Sequence, residues 1–252
     1  MSNSPDRDVV RDYALRLGDD RLVLGHRLSE WCGHGPILEE DIALANMALD
    51  LIGQANALLG VAAGPDATAD SLAYMREAVD FKNALMVELP KGDFGFTIVR
   101  QFLFSAYSLL QMERLTSSSH APLAGIAAKA VKEGKYHVRH AGEWVLTLAG
   151  GTDESHARTQ QALDELWRYT GELFAADELD RAATAAGVGV DPSTLQSPWH
   201  AIVDPLLERA GLEIPAVKAM QTGGRVGRHT EHLGHMLAEM QIVARSYPGA
   251  SW

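Results

Sequence analysis

Apolar residues recur along this chain with the three-to-four-residue period of the α-helix, and the strict alternation typical of strands is absent. Short turns rich in Gly, Pro, Asp and Ser separate the apolar segments. The pattern predicts helices at residues 6–31, 37–59, 71–89, 96–115, 123–148, 153–174, 177–186, 199–210 and 230–246. Long helices joined by short turns indicate an all-α bundle, and we expect one domain over residues 1–252.

Composition narrows the class of protein. The chain has 252 residues, of which 46% are hydrophobic, so it can bury a sizeable core. Its net charge of −11 argues against binding to nucleic acid or to an anionic membrane surface. One cysteine permits no intrachain disulfide. The N-terminus lacks an apolar leader, and no apolar run approaches a membrane span. We therefore expect a cytoplasmic protein.

The predicted helix at 37–59 carries apolar residues on all sides, which is typical of a buried helix. Asn46, Asp50 and Gln54 recur every fourth residue and form one polar stripe along it. A buried carboxylate must be paired, hydrogen-bonded or bound to a metal. Asp50 therefore indicates either a present or former metal site, or a hydrogen-bonded network in the core.

Di-iron carboxylate bundles take one Glu from each of two helices and a Glu-x-x-His pair from each of the other two. The best register here places Asp50 with Gly53 at one pair, and Gly134 with His137 at the other. His137 lies on a face of small residues, and Glu133 precedes it by four positions. A histidine on an apolar face is also typical of a hydrogen-bonded core residue.

The other two helices of the predicted bundle carry one candidate metal ligand between them. In 96–115 the expected carboxylate position is occupied by Ser105, and in 6–31 the best candidate is Glu30, one turn after His26. Glu30, Asp50 and His137 are thus three of six expected ligands. We interpret them as vestigial metal-site positions, with no catalytic residue and no bound metal in this chain.

Near the C-terminus, three glycines and two arginines precede a predicted helix. Arg225, Arg228 and His229 lie in this segment, and the start of a helix can bind an anion through its N–H groups and dipole. The segment predicts a contact with an anion or a protein partner. A tight turn with solvated arginines is the alternative.

Four segments resemble the structural-subunit (PaaC) family of bacterial phenylacetyl-CoA epoxidases: residues 17–55, 132–140, 163–180 and 222–241. The resemblance extends over nearly the whole chain in a single order. It implies a ferritin-like four-helix bundle core with additional C-terminal helices. It also implies membership of a multicomponent ring-1,2-monooxygenase of phenylacetate catabolism.

The same resemblance implies that the catalytic centre and this chain belong to different subunits of one complex. The di-iron centre belongs to a catalytic A subunit, and a reductase with flavin and an iron–sulfur cluster supplies electrons from NADPH. This chain would then be a structural subunit without its own cofactor, bound to the catalytic partner and to the other epoxidase components. A homodimer remains an alternative.

Two rival functions stay open. One is a self-sufficient ferritin-like di-iron oxygenase or oxidase, which would use Glu30, Asp50, Glu113, Glu133 and His137. The other is a ferritin-like storage or stress protein, which would assemble into large oligomers and hold many irons per chain.

Overall fold

The computed structural model describes residues 5–65 and 67–250. In these ranges it contains α1 (Pro5–Ser29), α2 (Leu38–Ala63), α3 (Ala69–Tyr74), α4 (Leu85–Glu88), α5 (Phe94–Leu115), α6 (Ala121–Ala149), α7 (Asp153–Trp167), α8 (Glu178–Ala185), α9 (Gln196–Arg209) and α10 (Glu231–Ser246). Short 3-10 helices occur at Ala78–Asp80, Gly171–Phe174, Pro192–Leu195 and Gly224–Val226. The described residues contain no strand, which confirms the all-α prediction.

Four long helices form the ferritin-like core. α1 packs along α2, α5 packs along α6, and α2 also contacts α6. α7 and α9 cover α5 and α6, whereas α4 and α8 contact α1. As a result, nearly every side chain of α1 between Tyr13 and Leu28 is buried. Charged residues in this stretch must therefore find partners inside the protein.

α2 is less buried than its composition predicts. Leu38, Ile42 and Leu49 are 71%, 53% and 66% exposed, so the expectation of a helix buried on all sides is wrong. By length and composition alone α2 could also cross a membrane, with a mean hydropathy of 1.4, contrary to the sequence-based expectation. Core helices of soluble proteins pass the same test.

The prediction of a single helix at 71–89 is also wrong. After α3 the chain makes one 3-10 turn and then runs extended into α4. Two backbone N–H groups there donate to buried carboxylates: Ala84 to Asp20 at 2.8 Å, and Leu85 to Glu172 at 2.7 Å. These long-range bonds replace the bonds within a helix that the local sequence favours.

The helix predicted at 153–174 ends at Trp167, because the residues after it also bond to distant parts of the chain. Beyond it, Glu172 lies in a 3-10 turn and is 3% exposed. Its Oε1 accepts the N–H groups of Gly223 and Gly224 at 2.7 and 2.9 Å. Glu172 thus joins the α4 region to the segment before α10, both far away in the sequence.

Candidate functional site

A small cavity lies between α2, α5 and α6 at the centre of the bundle. Its lining includes Ser105 and Gly134, two of the three positions where ligands are missing, together with Gln54 and His137. The helical register inferred from the sequence thus brings these positions together. The third position, Gly53, is exposed on α2, so the register was wrong there. The cavity measures about 10 Å³, which is room for about one water molecule.

Asp50 and His137 form a pair at the edge of this cavity. His137 Nε2 lies 3.1 Å from Asp50 Oδ2. His137 is almost completely buried, whereas the Asp50 side chain is 35% exposed. The pair joins α2 to α6 and gives the buried imidazole a partner. The hydrogen bond is of the kind that the sequence left open beside a metal site, but Asp50 is half-buried and not buried as expected.

Glu30 lies apart from that pair. Its Oε1 accepts a hydrogen bond from Arg27 Nη1 at 2.6 Å, and its backbone carbonyl accepts one from Lys91. In residues 5–65 and 67–250, no group of three or more His, Cys, Asp or Glu side chains is placed to hold a metal ion. The three predicted positions therefore give one pair and one separate carboxylate.

A buried arginine fills the polar centre of the bundle. Arg21 on α1 is fully buried and donates to Gln54 Oε1 on α2 at 3.2 Å. It also donates to Ser108 Oγ at 3.0 Å and Gln111 Oε1 at 3.4 Å, both on α5. Gln54 in turn donates to Glu133 Oε2 on α6 at 2.8 Å. These five residues form the central polar layer, with a member from each core helix.

The charge of this layer differs from that of a metal-binding layer, because it holds a cation, Arg21, and one carboxylate, Glu133. The direct acceptors of the Arg21 guanidinium are neutral, including the Leu17 carbonyl at 2.9 Å. Burial lowers the pKa of Arg21, but an arginine remains protonated in proteins. A metal ion here would meet a fixed cation in a medium of low dielectric constant. The residues present therefore do not fit a di-iron centre.

A second histidine–carboxylate pair joins the same two helices. His140 Nε2 lies 2.8 Å from Glu40 Oε2, and both side chains are about nine-tenths buried. The ring of Tyr136 packs against His140 with 5.6 Å between centroids. Sequence reasoning missed this pair, although His140 follows His137 by one helical turn.

Arg225 already has an internal partner. Its two terminal nitrogens contact both carboxylate oxygens of Asp20 at 2.9 Å, and Asp20 has no solvent exposure. Burial alone would lower the pKa of Arg225, but the Asp20 carboxylate outweighs it and the pKa is raised. Arg228 is exposed and accessible to a ligand or partner. Contact of Arg225 and Arg228 with an anion or partner stays a prediction.

His229 is held between two acceptors. Its Nδ1 lies 2.7 Å from Glu88 Oε2 and its Nε2 lies 2.9 Å from the Phe81 carbonyl. Neither partner can donate, so both ring nitrogens carry a proton and the ring is an imidazolium. Burial disfavours the charged form, but the bonds to Glu88 and Phe81 outweigh it and raise the pKa of His229. This geometry fixes the segment before α10.

The His229 contacts predict a pH-dependent stability. Because the pKa of the folded state exceeds that of the unfolded chain, the stabilisation is complete below about pH 6.5 and is lost as pH rises through the raised value. In thermal unfolding of wild type and His229→Gln, we expect the difference in Tm to narrow from about pH 6 to about pH 9. A difference that is constant across this range would contradict the charged assignment.

Sequence reasoning also missed the buried carboxylates of α1. Asp19 has no solvent exposure, contacts Arg76 and accepts the N–H of Lys82 at 2.8 Å. Asp20 forms an ion pair with Arg225 and accepts a hydrogen bond from the backbone N–H of Ala84. The sequence does contain a sign of these buried charges. Three consecutive charged residues, ending with Arg21, interrupt an apolar helix, and consecutive residues of a helix cannot all lie on one solvated face.

Comparisons with known proteins agree with this architecture. The family model described as phenylacetic acid catabolic protein matches residues 1–252. The chain is also 49% identical over 242 residues to the C subunit of 1,2-phenylacetyl-CoA epoxidase from Escherichia coli strain K12. That match covers 95% of this chain and 98% of the relative. The chain therefore belongs to the phenylacetic acid catabolic protein family and is similar throughout to an epoxidase component.

Proposed function

We propose that this chain is a non-catalytic subunit of a multicomponent phenylacetyl-CoA epoxidase, which binds and supports the di-iron catalytic subunit in aerobic phenylacetate catabolism. The similarity to the E. coli epoxidase component supports membership of such a complex. The central polar layer supports the non-catalytic role, since it places the Arg21 guanidinium where a di-iron bundle would converge its carboxylates.

The bundle centre also lacks space for the chemistry. Epoxidation of an aromatic ring requires a substrate pocket beside the metal centre, whereas the cavity lined by Ser105, Gly134 and His137 has about 10 Å³. In the proposed complex the di-iron centre lies in the catalytic subunit, and a flavin and iron–sulfur reductase delivers electrons from NADPH. This chain contributes a rigid, ferritin-like partner.

The rival function, a self-sufficient di-iron oxygenase or oxidase, needs five residues to converge. Glu113 is exposed, Glu133 binds Gln54 and lies near Lys129, and Glu30 binds Arg27. Of the five, Asp50 and His137 form a pair with each other. This dispersal of the other three favours the supporting role.

A reconstitution experiment tests the proposal. The chain, the catalytic subunit and their mixture are assayed with the reductase for oxygen- and NADPH-dependent turnover of phenylacetyl-CoA. We expect no turnover by the chain alone and a higher rate for the mixture than for the catalytic subunit alone. Turnover by the chain without the catalytic subunit would contradict the proposal.

The same assay tests whether Asp50 and His137 are vestigial. The double variant Asp50→Asn, His137→Gln leaves a polar amide side chain on each of α2 and α6 but removes both metal-binding groups. We expect complexes with this variant to turn over within about twofold of the wild-type rate, because in the proposed complex the reaction takes place in the catalytic subunit. A loss of about a hundredfold or more, the scale for a catalytic group, would assign the pair a catalytic role.

A further inference from the structure

One side of α10 carries a row of exposed residues. Glu231, Gly234, Ala238, Ile242 and Arg245 follow one another at spacings of three or four residues, so they share one face of the helix. All five are exposed, whereas the opposite side of α10 is buried against the rest of the protein. This face is therefore open to a partner over nearly the whole helix.

The face combines one large apolar side chain with an open hole. Ile242 is 59% exposed and projects from the helix as a knob. Glu231, Gly234, His235 and Ala238 have the spacing of four residues that border a hole in helix packing. Gly234 has no side chain, and a Cβ atom added there would meet no described atom within 4 Å. The hole can thus receive an apolar side chain from a facing helix.

Knob and hole match each other when two copies of α10 pack antiparallel. A two-fold axis beside Ala238 brings each residue level with the one that lies equally far on the other side of Ala238 in the second copy. Ile242, four residues after Ala238, is then level with Gly234, four residues before it. Each copy inserts its isoleucine into the hole of the other, so the contact forms twice.

Charge follows the same register. Arg245 lies seven residues after Ala238 and Glu231 seven residues before it, so the same axis brings the guanidinium of one copy level with the carboxylate of the other. Within the described residues, Arg245 uses three of its five N–H donors, on Glu77 and on two backbone carbonyls. Two donors remain for a second carboxylate.

We propose that a second copy of this chain docks on the α10 face, which comprises Glu231, Gly234, His235, Ala238, Ile242 and Arg245. Such a homodimer forms from this chain alone, so it goes beyond the proposed function and does not rest on it. A contact through one pair of helices is smaller than a standard interface of about 1,600 Å². We therefore expect a dimer that dissociates at micromolar concentrations.

The match of α10 with itself favours a second copy over another occupant. One axis produces both the fit of the isoleucine and the pairing of opposite charges, whereas an unrelated partner would require neither relation within α10. The exposed carboxylates of Glu231 and Glu239 make an anionic membrane a poor occupant.

Analytical ultracentrifugation of the purified chain alone, at about 1–200 µM, tests the dimer. We expect Ile242→Glu to raise the Kd of the dimer by at least about tenfold, because it places a charge in the apolar hole. Leu49→Glu is the matched control at a residue of α2 that is 66% exposed, and we expect it to leave Kd within about twofold. Gly234→Leu fills the hole while favouring the helix, so its expected weakening of the dimer does not arise from unfolding. Circular dichroism melts measure the folding of all three variants.

Cysteine cross-linking tests the register. In a Cys32→Ser background, Ala238→Cys places a thiol beside the axis, where it meets its own copy within reach of a disulfide. Val243→Cys places a thiol at an exposed position of the same helix outside the α10 face. We expect mild oxidation to join two chains of the Ala238→Cys variant and not of the Val243→Cys variant.

Three results would overturn the proposal. One is a wild-type chain that stays monomeric up to about 200 µM. Another is a dimer that Leu49→Glu dissociates and Ile242→Glu does not, since the second copy would then lie on α2. The third is cross-linking through Val243→Cys but not through Ala238→Cys, which the two-fold register forbids.

Discussion

Replacing Asp20 with asparagine is expected to lower the free energy of unfolding by about 3–5 kcal/mol, the scale for leaving a buried charge without its partner. Asp20 is fully buried, contacts Arg225 through two bonds of 2.9 Å, and also accepts the N–H of Ala84. The variant leaves the guanidinium of Arg225 without its carboxylate. Urea denaturation, followed by circular dichroism, measures the loss.

Asp12→Asn is a matched control, because Asp12 lies on the same helix but is exposed. We expect this control to change the free energy of unfolding by less than about 0.5 kcal/mol. A double-mutant cycle with Arg225→Met isolates the coupling between the two side chains. Equal, small effects of Asp20→Asn and Asp12→Asn would refute the structural role of the pair.

The Asp20 pair also changes how variants of Arg225 should be interpreted. Substitution of Arg225 by alanine removes a buried ion pair, so weaker assembly of such a variant would reflect a disturbed fold as much as a lost anion contact. Arg228 is exposed and offers the cleaner test of the predicted anion or partner contact.

Replacing Arg21 with methionine is expected to cost about 3 kcal/mol of unfolding free energy. The change leaves the side-chain oxygens of Gln54, Ser108 and Gln111 without the donor that binds them. Each hydrogen bond to a charged group contributes about 1.5–3 kcal/mol, and release of the buried cation offsets part of the sum. Thermal and urea unfolding both measure this effect.

Arg21→Lys keeps the cation but reaches fewer acceptors, so we expect an intermediate loss. Arg228→Met removes an exposed arginine and is expected to change the free energy of unfolding by less than about 0.5 kcal/mol. A methionine variant at position 21 as stable as wild type would show that the central polar layer does not depend on this cation.

Much of the helical core is predictable from local pattern. α1, α2, α5 and α6 lie within a few residues of the helices expected from apolar periodicity, because that period reports burial of one helical face. The segment at 71–89 is not predictable in this way. Its backbone is held by Asp20 and Glu172, whose identity as partners depends on the finished fold.

The site was predictable in part. Helical register correctly brings Ser105, Gly134 and His137 to one cavity. It does not reveal Arg21, since a single sequence does not show which of three consecutive charges, all buried in the fold, joins the central polar layer. Nor does it reveal that Leu49 is exposed, because apolar residues point to all sides of α2 and their pattern does not single out the solvated face.

We infer that this chain holds no di-iron centre of its own. Elemental analysis of the purified chain, expressed alone in iron-replete cells, tests it most directly. We expect far less than one iron or other transition metal per chain, because Arg21, three neutral side chains and a single carboxylate occupy the layer where several carboxylates would be needed. Two irons per chain, the stoichiometry of a di-iron bundle, would contradict it.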